Sequence, residues 1–334
     1  MATDAPISTP ADIFRLANMY AMSKVVLTAA ELDLFTALKD TQASAEEVRE
    51  RLGLHPRATK QWLDALVVTG LLQRENGRYA NSPAAARFLV RGAPAYVGGF
   101  LSRSGEMLYP AWGKFADTLR TGAPQANDGD FRLLLDKPAF LDRFLTMMDS
   151  LSGHLGPELA KAYDWTAHDS VADVGGARGN LVSHLVKAHL HLKGMVFDLP
   201  QMEPKFDEHM AALGLTGRAA FVPGDFFNDP MPQADVLIMG HVLHDWSEEE
   251  RRMLVGKAYQ ALAPGGVLLV YDRMIEEEPA DAENLLVSLH MILTTTDGTE
   301  YTPGECQAWM REAGFQNSSV QPLGPTDTLI IATK

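Results

Sequence analysis

A histidine and two acidic residues in the C-terminal half of the sequence are of the types that general-base chemistry needs. His244 lies in the segment His241-Val-Leu-His-Asp-Trp246, shortly after an apolar run, and Asp272 directly follows the next apolar run. Glu300 belongs to Asp297-Gly-Thr-Glu300. An imidazole that accepts a proton needs a partner to fix its tautomer, and a carboxylate is such a partner. The pattern predicts that His244 removes a proton from a substrate, with Asp272 and Glu300 as its acidic partners.

A glycine-rich turn, Asp173-Val-Gly-Gly-Ala-Arg-Gly179, separates an apolar run from a helical pattern. Its glycines allow a tight turn and a close approach of a ligand, because glycine has no Cβ atom. A dinucleotide dehydrogenase carries Gly-x-Gly-x-x-Gly at such a turn, whereas here Gly-Gly-x-x-Gly follows an aspartate. The Asp173 carboxylate would repel a pyrophosphate and attract the ammonium group of a methionine moiety. The turn therefore favours a methionine-containing ligand over a dinucleotide.

Two further aspartates follow the next two apolar runs. Asp198 comes 25 residues after Asp173, at the strand end where a ribose-diol acceptor belongs. Asp225 stands beside an aromatic pair, which fits an adenine whose amine is hydrogen-bonded and whose ring is stacked. Three acidic strand ends in succession predict S-adenosylmethionine as the cofactor. The residues that we expect at its site are Asp173, Gly175, Gly176, Gly179, Asp198, Leu199, Gly224, Asp225 and Phe226.

The elements that must position these residues follow from the apolar periodicity. From residue 169 onward short apolar strands alternate with helices, which is typical of an α/β fold with a parallel, doubly wound, Rossmann-like sheet. Ligands bind such a sheet at the carboxyl ends of its strands. We expect strands at Val171–Val174, Gly194–Asp198, Ala219–Val222, Asp235–Met239 and Val267–Tyr271, and helices at Leu181–Ala188, Glu203–Leu213 and Glu248–Ala261.

The N-terminal part of the sequence has a different, mostly helical pattern. Helices are expected at Ile13–Leu38, Ser44–Gly53 and His55–Gly70, the second opened by the capping box Ser44-Ala-Glu-Glu47. A hairpin with an Asn-Gly turn follows, with strands at Leu71–Arg74 and Arg78–Ala80. Helix, helix and hairpin is the outline of a winged helix.

A second helical stretch lies between the winged helix and the sheet. Amphipathic helices are expected from Ala95 to Tyr163, including one at Phe140–Leu155. A loop rich in glycine, proline and aspartate is expected at Thr121–Asp130.

Length, charge and cysteine content exclude several classes of protein. The 334 residues are too many for one ordinary domain. The net charge of −14 divides into +2 over residues 1–105 and −16 over the remainder, which argues against nucleic-acid binding by the C-terminal half. No apolar run approaches a membrane span, and the N-terminus has no signal-peptide pattern, so we expect a cytoplasmic protein. The single cysteine, Cys306, excludes an internal disulfide and a cysteine-cluster metal site, and we expect no metal.

Together these motifs resemble the plant-type family of small-molecule O-methyltransferases, which includes caffeic acid and acetylserotonin O-methyltransferases. The resemblance covers nearly the whole chain. Besides the segments above, it is carried by Leu108-Tyr-Pro-Ala-Trp112, Ala263-Pro-Gly-Gly266 and Ala313-Gly-Phe315. It implies a class I methyltransferase domain over 166–334, a helical, substrate-lining segment over 106–165, and a winged-helix-like dimerisation domain over 1–105 that builds a homodimer.

The resemblance also implies roles for single residues. His244 matches the family's catalytic histidine, with Asp272 and Glu300 as its flanking acids. Residues that contact the methionine end of the cofactor match Met148 and Ser152, and residues that line the acceptor pocket match Met291 and Thr295. The reaction expected is methyl transfer from S-adenosylmethionine to a hydroxyl of a small, aromatic or phenolic acceptor.

Three departures from the family pattern concern the site. Ala177 replaces the usual third glycine of the turn, and Asp272 is shorter than the glutamate that is common there. Gly240 stands where many relatives carry a basic residue near the cofactor.

Two other functions are consistent with parts of the sequence. One is methyl transfer to carbon or nitrogen, or other chemistry that depends on the same cofactor. The other is DNA binding by the winged helix, whose only basic residues for the purpose are Arg57, Lys60, Arg74 and Arg78. Trp62, Leu63 and Leu66 on the same helix indicate burial in a dimer interface instead.

Overall fold

The computed structural model of the chain describes residues 7–93, 95–126, 138–278 and 282–334. The expected loop at Thr121–Asp130 therefore lies outside the described residues from position 127 onward. The chain divides into two compact units, Met1–Pro110 and Ala111–Lys334. The separate helical segment over 106–165 stays a prediction.

The N-terminal unit combines short helices with a small antiparallel sheet. Its strands are β1 (Ala43–Ser44), β2 (Leu72–Glu75) and β3 (Arg78–Asn81), in the order β1-β3-β2. Its helices are α1 (Pro10–Ala17), α2 (Met19–Glu31), α3 (Leu34–Ala37), α4 (Ala45–Leu52), α5 (Pro56–Val68), α6 (Pro83–Phe88) and α7 (Gly98–Arg103), followed by a π-helical turn at Ser104–Leu108. Helices α4 and α5 with the β2–β3 hairpin form the winged-helix outline that the sequence predicts. Leu63 and Leu66 of α5 are fully buried in the core of this unit itself, so the expectation that they lie in a dimer interface is wrong.

Local chemistry explains where these helices begin and end. At the start of α4 the Ser44 Oγ accepts from the Glu47 backbone N–H at 3.2 Å, and Glu47 Oε2 accepts from the Ser44 N–H at 2.6 Å. The helix ends at Gly53, whose φ of +66° favours glycine. The helix expected over Ile13–Leu38 is instead three helices, since Asn18 and Asp33 interrupt it and Asp33 has a φ of +53°.

The C-terminal unit is built on a seven-stranded sheet. Its strands are β4 (Ser170–Val174), β5 (Lys193–Asp198), β6 (Ala219–Pro223), β7 (Val236–Gly240), β8 (Val267–Asp272), β9 (Asn317–Leu323) and β10 (Asp327–Thr333). The order is β6-β5-β4-β7-β8-β10-β9. The first five strands in this order, β6 to β8, are parallel to one another, as the sequence predicts. The β9–β10 hairpin adds two antiparallel strands beside β8.

Helices pack on both faces of this sheet. The helices from position 109 onward are α8 (Tyr109–Trp112), α9 (Phe115–Thr121), α10 (Pro138–Ala162), α11 (Asn180–Ala188), α12 (Glu203–Ala212), α13 (Glu248–Ala261), α14 (Glu283–Thr294) and α15 (Pro303–Ala313). Alternate strand residues pack to opposite sides: Leu237 joins a core cluster with Leu254, and Ile238 joins another with Leu185. The strand order reverses at β4, so the crevice at the carboxyl ends of β4 and β7 is where such a sheet binds its ligand. No helix within the described ranges has the length and apolar character to span a membrane.

Candidate active site

The turn after β4 forms the floor of a pocket. Gly175 has a φ of +76° and Gly179 a φ of +81°, conformations that favour glycine. A Cβ atom at Gly176 would lie 2.6 Å from Asp173 Oδ2, so only glycine leaves room for that carboxylate. Ala177 has a φ of +50°, which is strained for a residue with a Cβ and costs about 1 kcal/mol relative to glycine. Ala177 therefore replaces the third glycine of the family pattern at a position whose backbone conformation favours glycine.

Residues from α10, β4, α11, β7 and β8, together with the turn after β4, line this pocket. Of those expected at the cofactor site, Asp173, Gly175, Gly176, Met148 and Ser152 lie in its wall. The Ser152 hydroxyl donates to the Met148 carbonyl at 2.8 Å and accepts from Asn180 Nδ2 at 2.9 Å. The glycine turn and helix α10 therefore form adjoining walls of the same pocket.

Asp173 is the buried acid of the pocket, with 4% of the residue exposed. Burial, and then the nearby charge of Asp198, raise the pKa of its carboxyl to about 8. A positive group in the pocket would oppose both effects, because it stabilises the carboxylate form.

Asp198 reaches the same turn from the end of β5. Its two oxygens accept the backbone N–H groups of Ala177 and Leu199, each at 2.7 Å. Burial raises the pKa of Asp198 to about 6, and these two N–H donors oppose the rise. The remaining lone pairs of the carboxylate are still able to accept from a diol.

Asp225 is engaged mainly with its own turn. Its oxygens accept from the Phe227 N–H at 2.9 Å and from Asn228 Nδ2 at 2.8 Å. Phe226 comes close to the glycine turn, where its ring would lie 3.8 Å from a Cβ at Gly175. Gly224 packs on Phe197, whose ring a Cβ there would meet at 2.4 Å. Contacts of Asp225 and Phe226 with an adenine stay predictions.

His244 lies in a short 3-10 turn, Leu243–Asp245, after β7 and is 8% exposed. Its Nδ1 is 2.6 Å from Glu300 Oε1 and 3.5 Å from Asp272 Oδ1. Asp272 is fully buried, and its Oδ2 accepts from the Tyr301 hydroxyl at 2.5 Å. The structure therefore brings together the three residues that the sequence assigns to general-base chemistry.

The charges around His244 control its protonation. Burial lowers the pKa of the imidazole, but the charges of Asp272 and Glu300 and the hydrogen bond to Glu300 outweigh it and raise the pKa to about 10. For Asp272, burial raises the pKa and the charge of His244 opposes it. With Nδ1 bonded to Glu300, the nitrogen left to face a substrate is Nε2.

Comparison with known proteins identifies the family. The O-methyltransferase domain family matches residues 112–316, and the O-methyltransferase dimerisation domain family matches residues 14–91. The tetracenomycin polyketide synthesis 8-O-methyl transferase TcmO of Streptomyces glaucescens is 45% identical, over 100% of this chain and 99% of TcmO. The chain belongs to the O-methyltransferase family. The predicted family, the fold class and the dependence on S-adenosylmethionine are thereby confirmed.

Two further relatives show how far the likeness extends. The N,N-dimethyltransferase OxyT of Streptomyces rimosus is 37% identical, over 99% of this chain and 98% of OxyT. The crystal structure of human N-acetylserotonin methyltransferase in complex with SAM has a TM-score of 0.89 and 26% identity, and the match covers 100% of this chain and 99% of that chain. Both domains of this methyltransferase are therefore shared with its relatives, while the atom that receives the methyl group differs among them.

The two residues expected to line the acceptor pocket lie at the end of α14. The Thr295 hydroxyl donates to the Met291 carbonyl at 2.8 Å and accepts from the Gly298 N–H at 2.9 Å. Thr295 thus closes the helix and begins the loop that carries Glu300. Contact of Met291 and Thr295 with an acceptor stays a prediction.

A buried arginine that was not predicted from the sequence holds the loops of His244 and Glu300 by hydrogen bonds. Arg251 on α13 is 3% exposed. Its guanidinium donates to the Leu243 carbonyl at 2.9 Å and to the Thr299 carbonyl at 2.6 Å. The Thr299 N–H in turn donates to the His244 carbonyl at 2.9 Å. Arg251 therefore holds the neighbours of His244 and of Glu300 in one fixed arrangement.

Three other residues of the pocket wall, Arg178, Asp149 and Asn180, were not predicted from the sequence. Arg178 Nε donates to Asp149 Oδ2 at 3.0 Å, and Asn180 Nδ2 reaches the Asp149 carbonyl at 3.3 Å. All three line the pocket with Asp173. Arg178 lies inside the glycine-rich motif, so its position was a signal, whereas Asp149 shows none in the sequence.

A group of possible metal ligands lies beside the catalytic histidine. His241, His244 and Asp272 each place one nitrogen or oxygen within 4.8 Å of the others. His241 Nε2 is also 3.0 Å from Asp327 Oδ1. The expectation that the reaction needs no metal stays a prediction.

Proposed function

We propose that this O-methyltransferase methylates a phenolic hydroxyl of an aromatic, polyketide-type small molecule, with His244 as general base. The observation that carries the proposal is the 2.6 Å contact of His244 Nδ1 with Glu300, beside a second carboxylate. Similarity to TcmO supports a polyketide as the acceptor class. The bound cofactor supplies a methyl group on its sulfonium.

The pKa of the base matches such an acceptor. A phenol has a pKa near 10, and that of His244 is raised to about 10. Proton transfer from the phenol to Nε2 is then close to isoenergetic, whereas an ordinary imidazole would pay roughly 5 kcal/mol for it. Glu300 and Asp272 stabilise the imidazolium that forms as the methyl group is transferred. General-base assistance of this kind contributes about 10²–10⁴ in rate.

In the proposed placement, the cofactor's methionine end lies against Asp173, Met148 and Ser152, and its ribose lies against Asp198. Gly179 and Leu199 shape the backbone there, and Gly224, Asp225 and Phe226 receive the adenine. Met291 and Thr295 border the acceptor. The wall of the pocket and the backbone contacts of Asp198 support this assignment.

The direct test is methyl transfer to a matched pair of acceptors. The protein is incubated with S-adenosylmethionine labelled in its methyl group and a hydroxynaphthoquinone or hydroxyanthraquinone, and products are analysed by mass spectrometry. We expect a labelled methyl ether with the phenol and no label in the same compound whose hydroxyl is replaced by hydrogen. Label on carbon, or no transfer to any phenol tried, would overturn the proposal.

N-methylation is the second candidate, because OxyT is named as an N,N-dimethyltransferase and is 37% identical to this chain. An amine that accepts a methyl group becomes an ammonium group and must lose a proton, so the same base would serve it. The amino analogue of each phenol in the assay separates the two: transfer to the amine alone would favour this candidate.

We also propose that two copies form a homodimer through the N-terminal unit, as the matched dimerisation domain supports. Helices α1 and α2 leave large apolar side chains exposed, among them Phe14 at 66%, Leu16 at 61% and Tyr20 at 62%. An exposed apolar patch of this kind usually marks a surface that is buried against another molecule. Light scattering on the purified protein is expected to give twice the chain mass, and Phe14→Asp is expected to shift it toward the monomer. A monomeric wild-type protein would contradict the proposal. A cytoplasmic location stays a prediction.

A further inference from the structure

Three residues at the carboxyl edge of the sheet share one face beside the cofactor pocket. Asp173, next to the last residue of β4, pairs with Ile238 of β7, and Gly240 ends β7 opposite Tyr271 of β8. Because alternate residues of a strand face the same side, Gly240 lies on the face of Ile238. Asp173, Gly240 and Tyr271 all line the pocket.

The missing side chain at Gly240 is what admits the tyrosine ring. A Cβ atom at Gly240 would lie 2.0 Å from Tyr271 Cζ and 2.3 Å from its hydroxyl oxygen. The ring therefore lies directly over the Gly240 backbone and reaches across β7 toward β4. Burial, and then the charge of Asp173, hold the pKa of the Tyr271 hydroxyl well above its ordinary value. The phenol is consequently a hydrogen-bond donor at any physiological pH.

Asp173 and Tyr271 are buried polar groups whose side chains have no hydrogen-bond partner within the described part of the chain. They are 4% and 3% exposed. Both side chains line the pocket, so their polar atoms are available to a ligand that pairs with both. One of them accepts and the other donates. That combination complements an α-amino acid group, which offers an ammonium donor and a carboxylate acceptor.

The other side-chain donors in the pocket wall already face protein partners, and among them His241 Nε2 lies 3.0 Å from Asp327 Oδ1. The Arg178 guanidinium is paired with the Asp149 carboxylate. The Asn180 amide donates to the Ser152 hydroxyl and to the Asp149 carbonyl. The Tyr271 hydroxyl is therefore the donor best placed to serve a carboxylate brought into the pocket.

We propose that Tyr271, admitted by Gly240, binds the α-carboxylate of the cofactor's methionine part, while Asp173 binds its ammonium group. The proposal rests on the placement of the methionine end at the glycine turn. It also accounts for the glycine at position 240: the pocket obtains its donor from the neighbouring strand instead of from β7.

The test compares two ligands that differ only in the carboxylate. Calorimetry measures the dissociation constants of S-adenosylhomocysteine and of its decarboxylated analogue, 5′-(3-aminopropylthio)-5′-deoxyadenosine. The proteins are the wild type, Tyr271→Phe and the control Tyr163→Phe, whose hydroxyl contacts His168 Nε2 at 2.6 Å instead. Because a hydrogen bond to a charged group is lost, Tyr271→Phe is expected to weaken S-adenosylhomocysteine at least about tenfold. Tyr271→Phe is expected to change the dissociation constant of the decarboxylated analogue by no more than about twofold. The control Tyr163→Phe is expected to leave the dissociation constants of both ligands unchanged.

Each other outcome has a distinct meaning. Equal weakening of both ligands by Tyr271→Phe, or no weakening of either, would overturn the proposal. No binding of S-adenosylhomocysteine to the wild type would instead overturn the placement of the cofactor. Gly240→Ala serves as a second variant, because its methyl group must displace the Tyr271 ring. It is expected to reduce the wild-type preference for the carboxylate-bearing ligand, and an unchanged preference would count against the proposal.

Discussion

Replacing Glu300 by glutamine tests how the acids control the base. The substitution keeps the shape of the side chain and removes the charge that lies 2.6 Å from His244 Nδ1. Two unit charges about 4 Å apart interact by about 4 kcal/mol at an effective dielectric constant of 20. Since one pKa unit corresponds to about 1.36 kcal/mol, the pKa of His244 is expected to fall by about three units, from about 10 toward about 7.

The sign of the effect follows from which form of His244 is active. Only the neutral imidazole accepts a proton, so below its pKa the value of kcat/KM falls tenfold for each pH unit. The kcat/KM of the wild type is therefore expected to rise up to about pH 10, where a phenolic acceptor is itself half ionised. In Glu300→Gln the rising limb moves to lower pH, and a plateau opens between about 7 and 10. The height of the plateau is lower than the wild-type maximum, because a weaker base accepts the proton less readily.

The assay is the pH dependence of kcat/KM for one phenolic acceptor with the wild type, Glu300→Gln and Glu249→Gln. Glu249 is an exposed residue in the first turn of α13 and serves as the matched control. The use of one acceptor cancels its own ionisation from the comparison. A rising limb that stays within half a pH unit of the wild type in Glu300→Gln would refute the assigned role of the Glu300 charge.

Three further predictions concern cofactor binding by Asp198, the positioning of the catalytic loops by Arg251, and metal dependence. Asp198→Ala removes the acceptor expected to bind the ribose and should weaken S-adenosylhomocysteine at least about tenfold by calorimetry; unchanged affinity would show that the ribose lies elsewhere. Arg251→Met should lower kcat about tenfold or more with little change in cofactor affinity, because the loops of His244 and Glu300 lose the hydrogen bonds that hold them. The control is Arg252→Met at the exposed neighbouring position. Equal losses of kcat in both variants would contradict the positioning role of Arg251. Dialysis against a chelator should leave methyl transfer unchanged, and a loss restored by a divalent metal would contradict the metal-free mechanism.

The sequence was most informative where local rules decide the structure. The capping box of α4 and the strands β4 to β8 form within one or two residues of their expected bounds, because side-chain caps and buried apolar runs are local signals. The convergence of His244 with Asp272 could also be predicted, since the carboxyl ends of parallel strands meet at one sheet edge.

Long-range packing decided what the sequence did not show. Helix α10 was expected to end at Leu155 and continues to Ala162, although Pro157 lies inside it. Gly156 allows a close approach to α11, where a Cβ would lie 2.7 Å from the His184 ring, and this packing compensates for the local helix breakers. Likewise Arg251 belongs to a charged stretch that resembles a solvated helix face. Its burial depends on a loop 48 residues away.

The measurement that tests the central claim most directly is the pair of binding and turnover assays on His244→Ala. In the proposed mechanism His244 acts on the acceptor and the turn after β4 holds the cofactor, so catalysis and cofactor binding should separate. We expect S-adenosylhomocysteine to bind His244→Ala within about threefold of the wild type in calorimetry, while methyl transfer falls by about 10²–10⁴. Retained turnover in His244→Ala would contradict the assignment of His244 as the general base.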